Sequence, residues 1–177
     1  MQPLNAFTVD VEDYYHVSGF ESHIDRATWD SHESRVVTST HRLLDLLAKH
    51  STRATFFVLG WVAERHPQLV RDIHAAGHEL GSHSYWHRLI YTLTPEEFRL
   101  DLRHSIQAIE DAAGVRVTAF RAPSFSITEK SLWALEILAE EGITIDSSVF
   151  PVKHDRYGIP GGQAEIHDIE TASGTIC

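Results

Sequence analysis

Short apolar segments alternate with longer segments of helical periodicity along most of this chain. The short segments, which resemble buried strands, lie at residues 6–10, 54–59, 78–81, 117–121 and 143–145. Between them, apolar residues recur at helical spacing in residues 39–50, 61–76, 94–113 and 128–141. This alternation predicts an α/β fold in which helices cover a parallel sheet.

Several helix ends have recognisable signals. Thr94 is followed by Pro95 and then by Glu97, which is the spacing of a capping box with proline at the first helical position. Pro67 interrupts one helical segment and is expected to open a second helix there. After residue 150 the periodicity is lost, so the sequence predicts no further element in the tail.

Charged side chains follow four of the five predicted strands. They are Asp10, Glu12 and Asp13 after the first strand, His83 and His87 after the third, Arg121 after the fourth and Asp146 after the fifth. The carboxyl ends of parallel strands meet at one edge of a sheet, and ligand sites of such folds lie at that edge. We therefore expect these residues to form one site.

The two histidines indicate a metal centre. His83 and His87 are four residues apart, which on a helical turn would put both imidazoles on one face. With an acidic ligand and open coordination positions, they would form a hydrolytic metal site. Chance spacing is the alternative, because the chain has 13 histidines. The remaining histidines are interpreted as surface or cap residues, and the acidic cluster by itself as a solvated loop.

Composition excludes several classes of function. A formal net charge of −10 argues against nucleic acid and anionic membranes as partners. Cys177 is the only cysteine, so neither an internal disulfide nor a thiolate zinc site is possible. The chain has no apolar stretch long enough to span a bilayer and no secretory signal at its start. The sequence therefore predicts a cytoplasmic protein of unknown oligomeric state.

These motifs resemble those of polysaccharide deacetylases with a NodB-type homology domain, which form carbohydrate esterase family four. The resemblance rests on TVDVED at residues 8–13, HSYWH at 83–87 and RAP at 121–123. Further stretches resemble the exosortase-associated subgroup that is linked to exopolysaccharide production. They lie at residues 54–61, 121–126, 146–151 and 155–158.

The resemblance implies a distorted, incomplete (β/α) barrel that binds zinc or another divalent ion such as cobalt. It implies hydrolysis of N-acetyl groups from amino sugars of a polysaccharide or its precursor. By motif, Asp10 matches the catalytic base, His83 and His87 match metal ligands, and Arg121 matches the residue that orients the base. The acidic ligand is either Glu12 or Asp13. Glu12 is preferred because it points to the same side of an extended strand as Asp10.

Four further residues are expected to form the substrate cleft: Tyr85, whose backbone N–H is a candidate oxyanion donor, Trp86, Pro123 and Asp146. The family's late histidine, which serves as general acid, has no match, because the surroundings of His167 differ from that motif. We therefore expect residues 1–177 to be one domain that lacks the last barrel strands and a C-terminal extension. Two alternatives stay open: hydrolysis of a small linear or cyclic amide, and a non-catalytic metal- or sugar-binding remnant.

Overall fold

Five short strands lie side by side in chain order in one parallel sheet. The computed structural model describes residues 5–177, and its strands are β1 (Thr8–Val11), β2 (Thr55–Val58), β3 (Glu79–Ser82), β4 (Ala119–Phe120) and β5 (Ile145–Asp146). Each strand pairs in parallel with the next along the chain. The predicted α/β class is confirmed, and each of these five strands overlaps a segment predicted from the sequence.

In the part of the chain that the structure describes, five α-helices connect or follow these strands. They are α1 (Val36–Lys49), α2 (Gly60–Arg65), α3 (Pro67–Ala75), α4 (Pro95–Ala113) and α5 (Trp133–Glu140). The predicted capping box begins α4, where the Thr94 hydroxyl accepts from the Glu97 N–H at 3.2 Å and the Glu97 carboxylate accepts from the Thr94 N–H at 2.8 Å. Pro67 occupies the first turn of α3, as predicted. No helix within residues 5–177 is long and apolar enough to cross a bilayer.

The helix predicted at residues 128–141 begins later than expected. A separate 3-10 turn at Glu129–Ser131 precedes α5. The Ser131 hydroxyl accepts from the Thr128 N–H at 2.9 Å and donates to the Ser126 carbonyl at 3.0 Å. These side-chain hydrogen bonds compete with α-helical hydrogen bonds, and the chain therefore forms the tighter 3-10 turn before α5 begins.

The two faces of the sheet have different roles. The face that packs against the helices carries the buried side chains Val11, Phe56, Val58, Leu80 and Phe120. Residues between them along the strands point to the opposite face, because side chains alternate along a strand. There the register aligns Asp10 with Phe57, Phe57 with Gly81, and Gly81 with Ala119. This inner face leads up to the polar residues at the carboxyl ends.

The tail contains a hairpin that the sequence did not predict. Strands β6 (Ile169–Glu170) and β7 (Thr175–Ile176) pair antiparallel. Ile176 is buried, and the adjacent Cys177 exchanges backbone hydrogen bonds with Thr144 and Asp146 beside β5. The expectation of no element after residue 150 was therefore wrong. Two-residue strands are too short to give a periodic signal, and here the pairing of β6 with β7 defines them.

Candidate metal centre and active site

Glu12, His83 and His87 form a cluster at the carboxyl edge of the sheet. One ligand atom from each lies within 4.8 Å of the other two. His87 Nε2 is 2.9 Å from Glu12 Oε2, and both imidazoles are 2% exposed. Glu12 Oε2 is buried and, among residues 5–177, lacks a partner with hydrogen-bond geometry. A buried carboxylate oxygen facing two imidazole nitrogens is the ligand set expected of a divalent metal site.

The backbone after β3 orients both histidines. The His83 N–H donates to the Val58 carbonyl at 2.9 Å, which extends the sheet pairing by one residue. The expected helical turn is absent: residues 83–89 form a loop in which Ser84 and His87 have φ of 62° and 52°. Ser84 Oγ accepts from the His87 N–H at 3.1 Å and holds this conformation. The two imidazoles therefore come together because two residues of this loop are left-handed, and not because they lie on a helical turn. Such backbone strain is typical of functional sites.

The protonation states in the cluster suit metal ligation. His83 Nδ1 lies 2.7 Å from the Arg121 carbonyl, and since a carbonyl only accepts, Nδ1 carries the proton and Nε2 is free to coordinate. Burial holds the pKa of His83 below its usual value, which keeps the ring neutral. Burial raises the pKa of Glu12, but contact with His87 and the nearby His83 outweigh it, so that pKa lies below its ordinary value.

Asp10 and Arg121 form an ion pair beside this cluster. Arg121 Nη1 donates to Asp10 Oδ1 at 3.0 Å, while Asp10 Oδ2 lies 4.0 Å from His83 Nε2. The pair is a single contact, because Arg121 Nη2 donates to the hydroxyls of Thr8 and Ser147 at 2.9 and 2.8 Å and not to Asp10. The guanidinium also lies over the Phe57 ring, 4.4 Å from its centroid. Contacts on several sides fix the position of the Asp10 carboxylate.

Asp13, the alternative acidic ligand, faces away from the cluster. Its carboxylate accepts from the Ser34 hydroxyl at 2.8 Å and from the backbone N–H groups of Arg35 and Val36 at 2.9 and 3.2 Å. These groups lie at the start of α1, where N–H groups have no helical partner. Of the two acidic candidates, the structure brings only Glu12 together with the histidines.

Replacing Asp13 by alanine is expected to destabilise the fold and leave the metal site intact. The free energy of unfolding should fall by about 2 kcal/mol, because three hydrogen bonds, one of them buried and two partly buried, lose their acceptor. Urea denaturation and zinc titration measure the two properties, with Asp45→Ala on the exposed side of α1 as control. If zinc affinity collapsed while stability held, Asp13 would instead be a ligand.

Two expected cleft residues after β3 are placed differently from each other. Tyr85 is buried, its N–H donates to Asp101 at 2.7 Å and its hydroxyl donates to Glu64. Contrary to expectation, the Tyr85 side chain does not line an open cleft. Its backbone N–H is not a free oxyanion donor either, because it is hydrogen-bonded to the carboxylate of Asp101 on α4. Trp86 is 38% exposed and packs against Trp29 with ring centroids 5.9 Å apart, so it remains a candidate cleft residue.

The loop after β4 places the Phe125 side chain beside Arg121. Pro123 is buried and opens a 3-10 turn, so it shapes this loop and does not itself offer a surface to a ligand. Ser124 and Phe125 follow with φ of 52° and 51°. Consecutive left-handed residues that are not glycine are costly and indicate that the position of the loop is constrained by function.

Asp146, also predicted in the cleft wall, supports the loop after β4. Its carboxylate accepts from the Ser148 N–H at 3.1 Å and the Ser148 hydroxyl at 2.5 Å. The same hydroxyl accepts from the Ala122 N–H at 2.8 Å. Burial raises the pKa of Asp146 to about 6 despite the hydrogen bonds from Ser148 and the charge of Arg121. The residue links two strand-end loops.

The raised pKa of Asp146 predicts a pH-dependent loss of stability. The folded protein holds this proton more tightly than the unfolded chain, whose value is near 3.8. The contribution is thus fully present below pH 3.8 and lost as pH rises through about 6. Relative to Asp146→Asn, the wild type should lose on the order of 2 kcal/mol of unfolding free energy between pH 4 and 7. Urea denaturation at both pH values measures this; parallel behaviour of the two proteins would contradict it.

Two polar residues near the cluster were not identified as site residues from the sequence. Ser18 Oγ lies 3.5 Å from His87 Nδ1 and 2.9 Å from Ser124 Oγ, so it links two site loops. His16, interpreted as a surface or cap residue, is buried; its Nδ1 accepts from the Asp13 N–H at 2.8 Å, as a cap would. The Asp-x-x-His spacing is a capping signal that was available for His16, whereas no local pattern marks Ser18.

Comparison with known proteins indicates one family. The model of the polysaccharide deacetylase family matches residues 26–144. A peptidoglycan-N-acetylglucosamine deacetylase of Bacillus cereus is 35% identical over 98 residues, which are 55% of this chain and 36% of that protein. A chitin deacetylase of Colletotrichum lindemuthianum is 37% identical over 94 residues, covering 50% of this chain and 38% of that one.

A solved structure resembles nearly the whole fold. It is described as a polysaccharide deacetylase from Mycobacterium smegmatis, with a TM-score of 0.74 at 28% identity, and the match covers 97% of this chain and 56% of that one. The chain thus spans little more than a third of the two curated relatives and about half of this structure.

Proposed function

The chain belongs to the polysaccharide deacetylase family, and we propose that it is a metal-dependent hydrolase that removes N-acetyl groups from amino sugars of a polysaccharide or its precursor. One observation carries the proposal: the Glu12, His83 and His87 ligand set lies directly beside Asp10, which Arg121 holds in place. The relatives described as peptidoglycan and chitin deacetylases support this substrate class.

The donor set fits a divalent cation. One carboxylate and two imidazoles leave coordination positions open, as in catalytic zinc sites, and we propose zinc. When bound there, such an ion would polarise the acetyl carbonyl and acidify water. The chain's residues would supply the rest. Glu12 and His87 contribute from different loops, and His83 is oriented by the Arg121 carbonyl.

Asp10 is the proposed general base. Its Oδ1 accepts from Arg121, which leaves Oδ2 on the side of His83 and the metal ligands. In that position Oδ2 would accept the proton of the water that attacks the acetyl carbonyl. Arg121 does not contact the reacting atoms in this scheme; it holds the Asp10 carboxylate in one orientation, and its own position is held by contacts with Thr8 and Ser147.

The biological context is a further proposal. The motifs at residues 146–151 and 155–158 resemble the exosortase-associated subgroup, and we propose a role in exopolysaccharide biosynthesis on that basis.

Metal content and acetate release measured on the same preparation test the proposal. The chain is stripped with a chelator, reloaded with zinc or cobalt, and incubated with chitooligosaccharides. We expect one ion per chain and acetate release that disappears on chelation and returns on reloading. Metal binding without acetate release from any N-acetylated glycan would favour a non-catalytic domain, and acetate release from a small amide alone would favour the small-amide alternative. Failure to bind metal would contradict the proposal.

A further inference from the structure

Asp101 is a buried carboxylate of α4 that takes no part in the proposed reaction. It is 7% exposed and lies against the loop that carries both histidine ligands. Its Oδ2 accepts from the Tyr85 N–H at 2.7 Å, and its Oδ1 accepts from the Trp86 N–H at 3.0 Å. These two amides lie between His83 and His87 in the chain. One side chain of α4 is therefore bonded to the backbone that separates the two ligands.

The hydrogen bonds from the loop offset the cost of burying this carboxylate. Burial raises the pKa of Asp101 above its ordinary value, and the hydrogen bonds from the Tyr85 and Trp86 amides oppose that shift more strongly than the charge of Arg88 does. A buried charge is costly unless hydrogen bonds compensate for it. The carboxylate and the loop amides therefore stabilise each other.

The start of α2 holds the same loop through its carbonyl groups. The Gly60 N–H donates to the Ser84 carbonyl at 2.8 Å, and the Trp61 N–H donates to the Tyr85 carbonyl at 3.4 Å. N–H groups in the first turn of a helix have no partner within that helix, so they are available to the loop. The loop is thus bonded through its carbonyls to α2 and through its amides to α4.

The Tyr85 side chain fills the space between these two helices. Its ring stacks on His104 of α4 with centroids 3.7 Å apart at an interplanar angle of 9°, and its hydroxyl donates to Glu64 of α2. A Cβ at Gly60 would lie 2.7 Å from the Tyr85 ring and 2.7 Å from the Ser105 backbone, so only glycine permits this close approach. The loop therefore packs against both helices and cannot shift without breaking these contacts.

These contacts hold the loop in a conformation that is unfavourable by itself. Ser84 and His87 have φ of 62° and 52°, and left-handed residues other than glycine persist only where the surrounding structure imposes them. The result is that ligand atoms of His83, His87 and Glu12 lie within 4.8 Å of one another. Asp101, which binds the residues between the two histidines, is placed to impose this conformation.

We propose that Asp101 is a positioning residue of the metal centre, which holds the loop after β3 in the conformation that directs both imidazoles to one ion. This inference rests on the proposed function, because it assigns a residue of α4 to the metal site proposed there. Asp101 does not contact the ion and acts only through the loop backbone. Removal of a group that orients metal ligands costs about 10–100-fold in metal affinity, and we expect an effect of this size.

Zinc titration of Asp101→Asn against a competing chelator tests the proposal. The amide has nearly the same size, but its NH2 group cannot accept from a backbone N–H, so one of the two hydrogen bonds is lost. We expect zinc affinity to fall by about tenfold or more, and the visible absorption spectrum of the cobalt-loaded chain to change, because the ligands move. Asp111→Asn, at an exposed carboxylate of the same helix, is the matched control and should equal the wild type in both measurements.

Amide hydrogen exchange of the metal-free wild type tests the proposal without a substitution, so it also applies if Asp101→Asn does not fold. If Asp101 holds the loop, the Tyr85 and Trp86 amides are protected before zinc is added, and zinc changes their exchange little. Amides that exchange freely until zinc binds would show that the metal, and not Asp101, orders the loop. That result would overturn the proposal.

Ile109→Val separates positioning from a general loss of stability. It removes one carbon atom from the buried face of α4, and it should lower the unfolding temperature while zinc affinity and the cobalt spectrum stay unchanged. Wild-type zinc affinity in a folded Asp101→Asn variant would overturn this inference and leave the deacetylase proposal intact. Loss of zinc affinity in that variant, with no acetate released by the loaded wild type from any N-acetylated glycan, would support the positioning role and contradict the deacetylase proposal.

Discussion

Replacing His83 by alanine is expected to abolish both metal binding and acetate release. The imidazole supplies one of only three protein ligands in the cluster, and its loss leaves Glu12 and His87 alone. Zinc affinity should fall by more than about 100-fold, because changes to residues that merely support a ligand already cost 10–100-fold. Zinc titration against a competing chelator and acetate release from chitooligosaccharides measure the two effects.

His74→Ala is the matched control for that experiment. His74 is exposed on α3 and remote in sequence from the strand ends, so both properties should stay at the wild-type level. Unfolding of the metal-free His83→Ala variant should be checked as well, because its side chain is buried and bonded to Arg121. A folded His83→Ala variant that bound zinc normally would rule out the assigned cluster.

Replacing Asp10 by asparagine should separate catalysis from metal binding. The amide oxygen can still accept from Arg121, but the side chain can no longer take a proton. Acetate release should drop by about 10²–10⁴-fold, which is the usual contribution of a general base. Zinc affinity should be retained, because Asp10 is not part of the ligand set. Acetate release across a pH series, at saturating zinc, is the measurement.

The control for Asp10→Asn is the same substitution at Asp45, an exposed carboxylate on α1 that should have no effect. Near-normal activity of Asp10→Asn would exclude Asp10 as the base. Loss of zinc binding would instead identify Asp10 as a ligand, so the two outcomes lead to different revisions of the site.

Local patterns in the sequence were sufficient for much of the scaffold. The positions of β1 to β3 follow from short apolar segments, and the start of α4 follows from Thr94 and Glu97, because a capping box involves only groups three residues apart. The cluster of Glu12 with His83 and His87 was also expected, since strand ends of a parallel sheet converge. Where the interactions are local or follow from topology, sequence reasoning succeeds.

Two errors arose where a contact joins distant segments. The backbone N–H of Tyr85 is occupied by Asp101 of α4, and the residue after β7, Cys177, is bonded to the backbone on both sides of Ile145. A third error was local: His83 and His87 were placed on a helical turn, yet their loop depends on left-handed residues. None of these features leaves a periodic signal in the chain.

The sequence by itself determined the α/β class, the parallel sheet and the set of candidate residues, because hydrophobic periodicity and strand-end position are properties of short segments. Tertiary structure decided which carboxylate joins the histidines. Strand alternation favoured Glu12 but left Asp13 as an alternative, and it is the start of α1 that occupies the Asp13 carboxylate with three hydrogen bonds. It likewise brought Phe125, Phe150 and Tyr157 together, since stacking between loops depends on distances that the sequence does not specify.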